Sequence, residues 1–283
     1  MSKPTIYSVK VKEALSRSGL PDLDYALNPY IGCWHACIYC YARLYTGDRR
    51  VSENWGDIIL VKENIVETLR REVKRRKPGV VGVGTITDAY QPVEALYGLT
   101  RKSIRILLEN GFHTSIQTKN PLVLRDLDIL KKYKDRVDVG FTITTLDKDI
   151  ARIIEPRAPP PKARAKALER ISEEGIETWV FYGPIIPGLN DDEETISGLV
   201  ELVRQTGSIL YYDKLRVKKF MEKPDHPLYT VAERAKRYPW RKLYAKIREE
   251  CRRRKVKCMP GMEYKTVEEK VNTLDKYMYS LSK

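Results

Sequence analysis

Three cysteines stand within eight residues, at Cys33, Cys37 and Cys40 in the stretch GCWHACIYCYAR, spaced by three residues and then by two. The thiolate is a soft ligand, and three of them on one short loop suit an iron–sulfur cubane, with the fourth iron left without a protein ligand. An open metal position is where chemistry can take place. Zinc is the alternative, but a structural zinc site wants four ligands, commonly as two close pairs. Cys251 and Cys258 are separated by six residues and make a poor second pair, and His35 would complete the set only with awkward loop geometry. Five cysteines, three of them bunched together, do not form a secreted disulfide framework. They point to a metal or redox centre in a reducing compartment.

Such a loop needs a rigid frame. From Asp24 onward, apolar β-prone runs alternate with charged helical stretches, the pattern of repeated βα units on a parallel sheet. Six strands are expected, at 25–31, 80–86, 112–118, 137–144, 176–186 and 209–217. Helices are expected at 62–77, at 93–110, from Pro121 onward, at 147–154, at 162–174 and at 191–205, the last capped by Asn190. Repeated right-handed crossovers curl such a sheet into an open barrel, with functional side chains at the C-terminal ends of the strands. The fold class expected is α/β, a partial (β/α)6 barrel of TIM type at 25–217. A polar arm at 1–24 precedes it and a basic, mainly helical extension at 218–283 follows, within a chain of 283 residues.

The segments after the strands hold further candidates. Lys119 follows the third strand, where a lone cation suits a carboxylate; a solvated lysine is the plain alternative. Thr87 and Asp88 follow the second, as polar ligand contacts or as a polar turn. Thr142 and Thr144 alternate on one face of the fourth, which makes Thr144, at its end, the better hydrogen-bonding candidate. The GPIIPG stretch from Gly183 to Gly188 offers the flat apolar surface and backbone partners that an adenine ring needs. Tyr39 and Tyr41 flank Cys40, where aromatics keep a cluster dry. Glu155 and Arg157, in EPRAPPP, either close the barrel mouth or form an ordinary ion pair.

The C-x3-C-x2-C pattern on the loop after the first strand of a partial barrel resembles the radical S-adenosylmethionine superfamily. The stretches NPYIGCWHACIYCYAR, GTITDAYQPVEALYGLTRKSI, QTKNPLVLRDLDIL, TITTLD and EPRAPPP resemble its spore photoproduct lyase-like branch, often described as DNA repair photolyase, from about Tyr25 to Val217. The resemblance implies that Cys33, Cys37 and Cys40 hold a [4Fe–4S] cluster whose open iron chelates the amino and carboxylate groups of S-adenosylmethionine. Reductive cleavage of the S–C5′ bond then yields methionine and a 5′-deoxyadenosyl radical. It further implies cofactor contacts from Tyr39, from Thr87 to the ribose or amino group, from Lys119 to the methionine carboxylate, from Thr144 to the ribose, and from Ile185 or Ile186 to the adenine. A hydrogen-atom relay at Tyr41 and a reductant such as ferredoxin or flavodoxin are also implied. One position departs from the branch: the lyase carries a hydrogen-donating cysteine after the second strand, and Thr85 stands there. A threonine O–H bond is too strong for that role, which puts thymine-dimer reversal by that route in doubt. Cys251 and Cys258 are either its substitutes or simply a small buried residue and an exposed helical thiol.

A formal charge of +14 favours DNA or RNA as a partner, since clustered Lys and Arg displace condensed counterions. With 32% charged residues and three glutamines, the composition equally fits a thermophile surface. Residues 241–257 include nine basic and two acidic side chains. Helical spacing sets Arg241, Arg248, Arg252 and Lys255 along one face, expected to track a phosphate backbone beside the barrel mouth, with Trp240 and Tyr244 for stacking. A nucleic-acid-binding protein with a structural iron–sulfur or zinc site is the alternative function. No run approaches the ~20 apolar residues of a membrane helix and the N-terminus has no apolar signal segment, so a cytoplasmic location is expected.

Overall fold

A computed structural model describes residues 3–261. Its strands are β1 (Thr5–Val9), β2 (Leu15–Arg17), β3 (Tyr25–Leu27), β4 (Tyr30–Ile31), β5 (Ile58–Lys62), β6 (Val80–Val83), β7 (His113–Thr118), β8 (Val137–Thr142), β9 (Glu177–Ile185), β10 (Ile209–Lys214) and β11 (Cys258–Pro260). The main sheet runs β11-β10-β9-β8-β7-β6-β3-β2, and a small side sheet runs β1-β5-β4. From β3 to β11 every pairing in the main sheet is parallel, and β2 joins β3 antiparallel. Since β2 and β11 form opposite edges, the barrel is open, as the partial-barrel reading requires.

The sheet is covered by amphipathic helices that turn Ile65 and Leu69, Ile104, Leu107 and Leu108, Leu168 and Ile171, and Leu199, Val200 and Val203 inward. Strand β8 is almost wholly buried, as expected for a parallel strand with both faces covered. Its Gly140 is required by packing, because a Cβ there would come within 2.2 Å of the Trp179 ring on β9.

All six expected barrel strands are present, with instructive differences. The first, read as 25–31, ends at Leu27; past Pro29, which has no N–H to give a ladder, the chain turns away and β4 pairs with β5. Residues 58–62 form a strand that the sequence reading missed, and the helix expected from 62 runs only over Ile65–Glu72. The 93–110 helix breaks at Gly98, whose φ is 62°. Asp192, whose side chain accepts from Thr195 N, caps the Glu193–Thr206 helix; Asn190 does not.

The segment after 217 is built into the barrel. Leu243, Tyr244, Ile247 and Cys251 of the Trp240–Arg253 helix enter the main core, and β11 extends the sheet. Residues 262–283 of the expected extension lie outside the described residues. The helix starts with Trp240 against the cluster that contains Cys37 and Tyr39. It ends by leading to β11, where Cys258 pairs with Leu210 at the start of β10. Arg248, Arg252 and Lys255 therefore lie toward the N-terminal end of the strands, away from the mouth, contrary to expectation. Much of the run is also paired: Arg253 and Arg254 bind Glu250, Arg254 binds Glu201, and Lys246 binds Glu193. Cys251 and Cys258 share that far end, about 13 Å of strand from the mouth, too distant to stand in for a hydrogen donor there. Among the described residues, no helix is long and apolar enough to cross a membrane.

Candidate functional site

The cysteine loop leaves β4 through Gly32, whose φ is 86° and where a Cβ would lie 2.6 Å from Ile58 O. Ala36 takes a left-handed turn, φ 52°, between Cys33 and Cys37, and it packs onto Gly56. A Cβ on Gly56 would sit 2.4 Å from the Ala36 Cβ, so this contact needs glycine. Ala36 N donates to Cys33 O at 3.2 Å and Cys40 N to Cys37 O at 3.1 Å. From the EPRAPPP side, Arg157 N donates to His35 O at 3.3 Å, while its guanidinium donates to Gly56 O at 2.8 Å and pairs with Asp57. Arg157 thus clamps the back of the loop.

Thr87, expected at the cofactor, braces the loop. Its hydroxyl donates to Gly32 O at 2.6 Å and accepts from Gln91 Nε2 at 2.9 Å. Gln91 also donates to Gly32 O and accepts from Trp34 N, and sequence reasoning missed it; its only signal is its place four residues after Thr87. The loop is tied further through His35, whose Nδ1 lies 3.2 Å from Asp88 Oδ2. Asp88 also accepts from Thr118 Oγ1 at 2.7 Å, Lys119 N at 2.8 Å and Tyr90 N at 2.9 Å. Burial alone would raise its pKa, but His35 and these donors outweigh it and hold the carboxyl at about 2.

Cys33 and Cys37 are buried, Cys40 is half-buried, and all three are free thiols. Burial pushes each pKa up, that of Cys37 to about 12. Thiols so placed stay protonated until a metal displaces the proton, which suits ligands better than nucleophiles.

Beside them lies a buried polar cluster. The Tyr39 hydroxyl donates to Glu155 Oε1, Lys119 Nζ stands 3.8 Å from the same oxygen, and Arg164 Nη1 is 2.5 Å from Oε2. Burial opposes ionisation of Glu155, yet Arg164 and Lys119 hold its pKa below the usual value. Burial likewise opposes the Lys119 ammonium, and a Cys37 thiolate together with Glu155 more than offsets it. Lys119, with its side chain 15% exposed, makes no hydrogen bond from Nζ to any described residue. The Thr144 hydroxyl is fully buried and also without a partner among the described residues. Ile186 packs with Cys37 and Tyr39, whereas Ile185 belongs to the main core. Asn190, not a cap, holds this turn by accepting from Ile186 N and donating to Thr144 O and Pro184 O. Tyr41 is 43% exposed and donates to Thr85 O at 3.0 Å. Tyr39, Lys119 and Ile186 are thus gathered around the cysteine loop, while Thr87 bonds to the loop backbone and Ile185 lies in the main core.

Residues 27–199 match the Radical SAM superfamily. The chain belongs to that superfamily. Family membership implies a [4Fe–4S] cluster and S-adenosylmethionine as cofactors. This radical SAM protein is 35% identical over 195 residues, 69% of its own length and 73% of the other's, to an uncharacterized protein of Methanocaldococcus jannaschii. Its fold is similar to that of spore photoproduct lyase complexed with dinucleoside spore photoproduct, with a TM-score of 0.67 and 15% identity over 91% of this chain and 82% of that one. It is also similar to a radical SAM methyltransferase from Sphaerobacter thermophilus, with a TM-score of 0.56 and 18% identity over 85% and 67% of the two chains.

Proposed function

We propose that Cys33, Cys37 and Cys40 hold the cluster, and that the radical generated there acts on a substrate carried on nucleic acid. The observation that carries the cofactor reading is the largely buried Lys119 ammonium, its donors unspent, between the cysteine loop and Glu155. Three buried thiols from one loop fit a cubane, which takes each on a separate iron. Among the described residues, no three His, Cys, Asp or Glu side chains gather as a single metal ion would require. When bound, the cluster supplies the electron that breaks the S–C5′ bond. Lys119 receives the methionine carboxylate, the free Thr144 hydroxyl receives the ribose, and Ile186 lies against the adenine. Tyr39 shields the pocket from water, and Tyr41 stands at the mouth beside Thr85, where a relay would meet substrate. The unbridged thiols suit a cytoplasmic setting, with a reductant of ferredoxin or flavodoxin type.

Lys119→Ala is expected to keep its iron and sulfide but to bind S-adenosylmethionine more weakly by about 1.5–3 kcal/mol, the range of a charge-assisted hydrogen bond. Equilibrium dialysis measures this, and unchanged affinity would move the carboxylate site elsewhere.

Support for a nucleic-acid substrate comes from the charge of +14 and from the surface at the mouth. Lys219 and Lys223 are exposed on the turn after β10, whose Phe220 lies 4.8 Å from the Arg43 guanidinium next to Cys40. Tyr41 and Tyr45 add exposed rings for stacking. Spore photoproduct lyase, similar in fold, is itself described with a dinucleoside. Binding to single-stranded DNA or RNA is expected to weaken with salt, and Lys219→Glu with Lys223→Glu to flatten the log–log slope by roughly one to two units. Arg248→Glu with Arg252→Glu, at the far end, should leave the slope unchanged. Absence of salt-dependent binding by the wild-type protein at low ionic strength would favour a peptide or small-molecule substrate.

A further inference from the structure

The Lys119 ammonium poses a physical problem. A largely buried cation gives up much of its hydration and normally recovers it in hydrogen bonds, yet Nζ, on a side chain 15% exposed, makes none to any described residue. Its nearest counter-charge, Glu155, is already engaged at both oxygens. Tyr39 donates to Oε1, and Arg164 Nη1 sits 2.5 Å from Oε2. Arg164 is anchored in turn, donating from Nη1 to Thr142 O at 3.1 Å and from Nε to Pro159 O at 2.7 Å. The carboxylate is therefore fixed from the end of β8 and from the Pro-rich segment, and at 3.8 Å it is close enough to attract the Lys119 ammonium without taking a hydrogen bond from it. Glu155 and Arg164 side chains are 0% and 1% exposed, so the pair is shielded from bulk solvent.

We propose that Glu155 is the positioning residue of the cofactor pocket, fixing the Lys119 ammonium beside the cysteine loop with its hydrogen-bond donors directed to the ligand. Arg164 pairs with the second oxygen and keeps the carboxylate from collapsing onto Lys119. The inference rests on the reading of Lys119 as the contact for the methionine carboxylate. It adds that Glu155 acts through Lys119 and touches no ligand itself.

The test uses anaerobically reconstituted full-length protein and S-adenosylmethionine as the probe, with affinity read by equilibrium dialysis and by the cofactor-induced change in the EPR spectrum of the reduced cluster. Glu155→Gln is expected to retain iron and sulfide while binding about tenfold or more weakly, with a diminished spectral change. The double variant Glu155→Gln/Lys119→Ala should bind no more weakly than Lys119→Ala alone, because a residue that acts through another adds nothing once that other is gone. Wild-type affinity in Glu155→Gln, with Lys119→Ala impaired, overturns the positioning role and leaves the carboxylate reading intact. Additive losses in the double variant also overturn it. Wild-type affinity in Lys119→Ala defeats the underlying reading instead. Should Glu155→Gln fail to fold because two cations are left unbalanced, Glu155→Gln/Arg164→Met removes one of them together with the carboxylate; tenfold weaker binding by that protein supports the proposal and wild-type affinity overturns it.

Discussion

Replacing any one of Cys33, Cys37 or Cys40 by alanine is expected to strip the protein of iron and sulfide, from about four of each per chain in the anaerobic wild type to near none. The three thiols come from a single tight loop held by Gly32, Ala36 and Gly56, so no other described cysteine can move in: Cys251 and Cys258 lie at the opposite end of the sheet. The brown colour should vanish, and 5′-deoxyadenosine formation should fall to background. The fold should persist, because Thr87, Gln91, Asp88 and Arg157 hold the loop through groups other than the thiols. Far-ultraviolet circular dichroism distinguishes loss of cluster from loss of structure. Stoichiometric zinc without sulfide in the wild-type protein would sink the cluster assignment.

The next largest effect is expected at Asp88. Asp88→Ala leaves the Thr118 hydroxyl, two backbone N–H groups and the His35 imidazole without their shared acceptor in a buried site. Removing one partner from such a network costs about 3–5 kcal/mol. For a chain of this size that is a fall in melting temperature on the order of 10 °C. Asp88→Asn keeps one acceptor oxygen and should cost less. Thermal unfolding of the metal-free protein checks both, and a change below about 2 °C for Asp88→Ala would show that the loop does not depend on this carboxylate. Asp88 accepts from Lys119 N, so the same substitution should also loosen the cofactor contact in the loaded protein.

The cysteine spacing, the alternation of strands and helices, and the position of Lys119 one residue past β7 were all legible in the sequence because each is a property of contiguous residues. Hydrophobic period and turn chemistry act over a few residues, and a thiol motif needs only its own loop. The strand at 58–62 escaped notice because a short apolar run is read as helix or strand equally well, and its partners β1 and β4 lie far from it in sequence. The basic run at 241–257 is helical only as far as Arg253, with Lys255 in a left-handed turn beyond it, and a helix's direction relative to the barrel mouth depends on where the next strand docks: β11 sets the C-terminal part of its cationic face at the far end.

Sequence alone determined the family, the α/β class and the presence of three thiols on one short loop. Only the tertiary structure decided what the neighbouring polar residues do. Thr87 turned inward to Gly32, 55 positions away, and Glu155 met Tyr39 across 116 positions to form the cluster around Lys119. Residue type and spacing cannot reveal such pairings, since a hydroxyl or carboxylate after a strand is chemically equal to the task of binding a ligand or bracing a loop. Which it does is decided by the donor or acceptor that packing brings within about 3 Å once water is excluded.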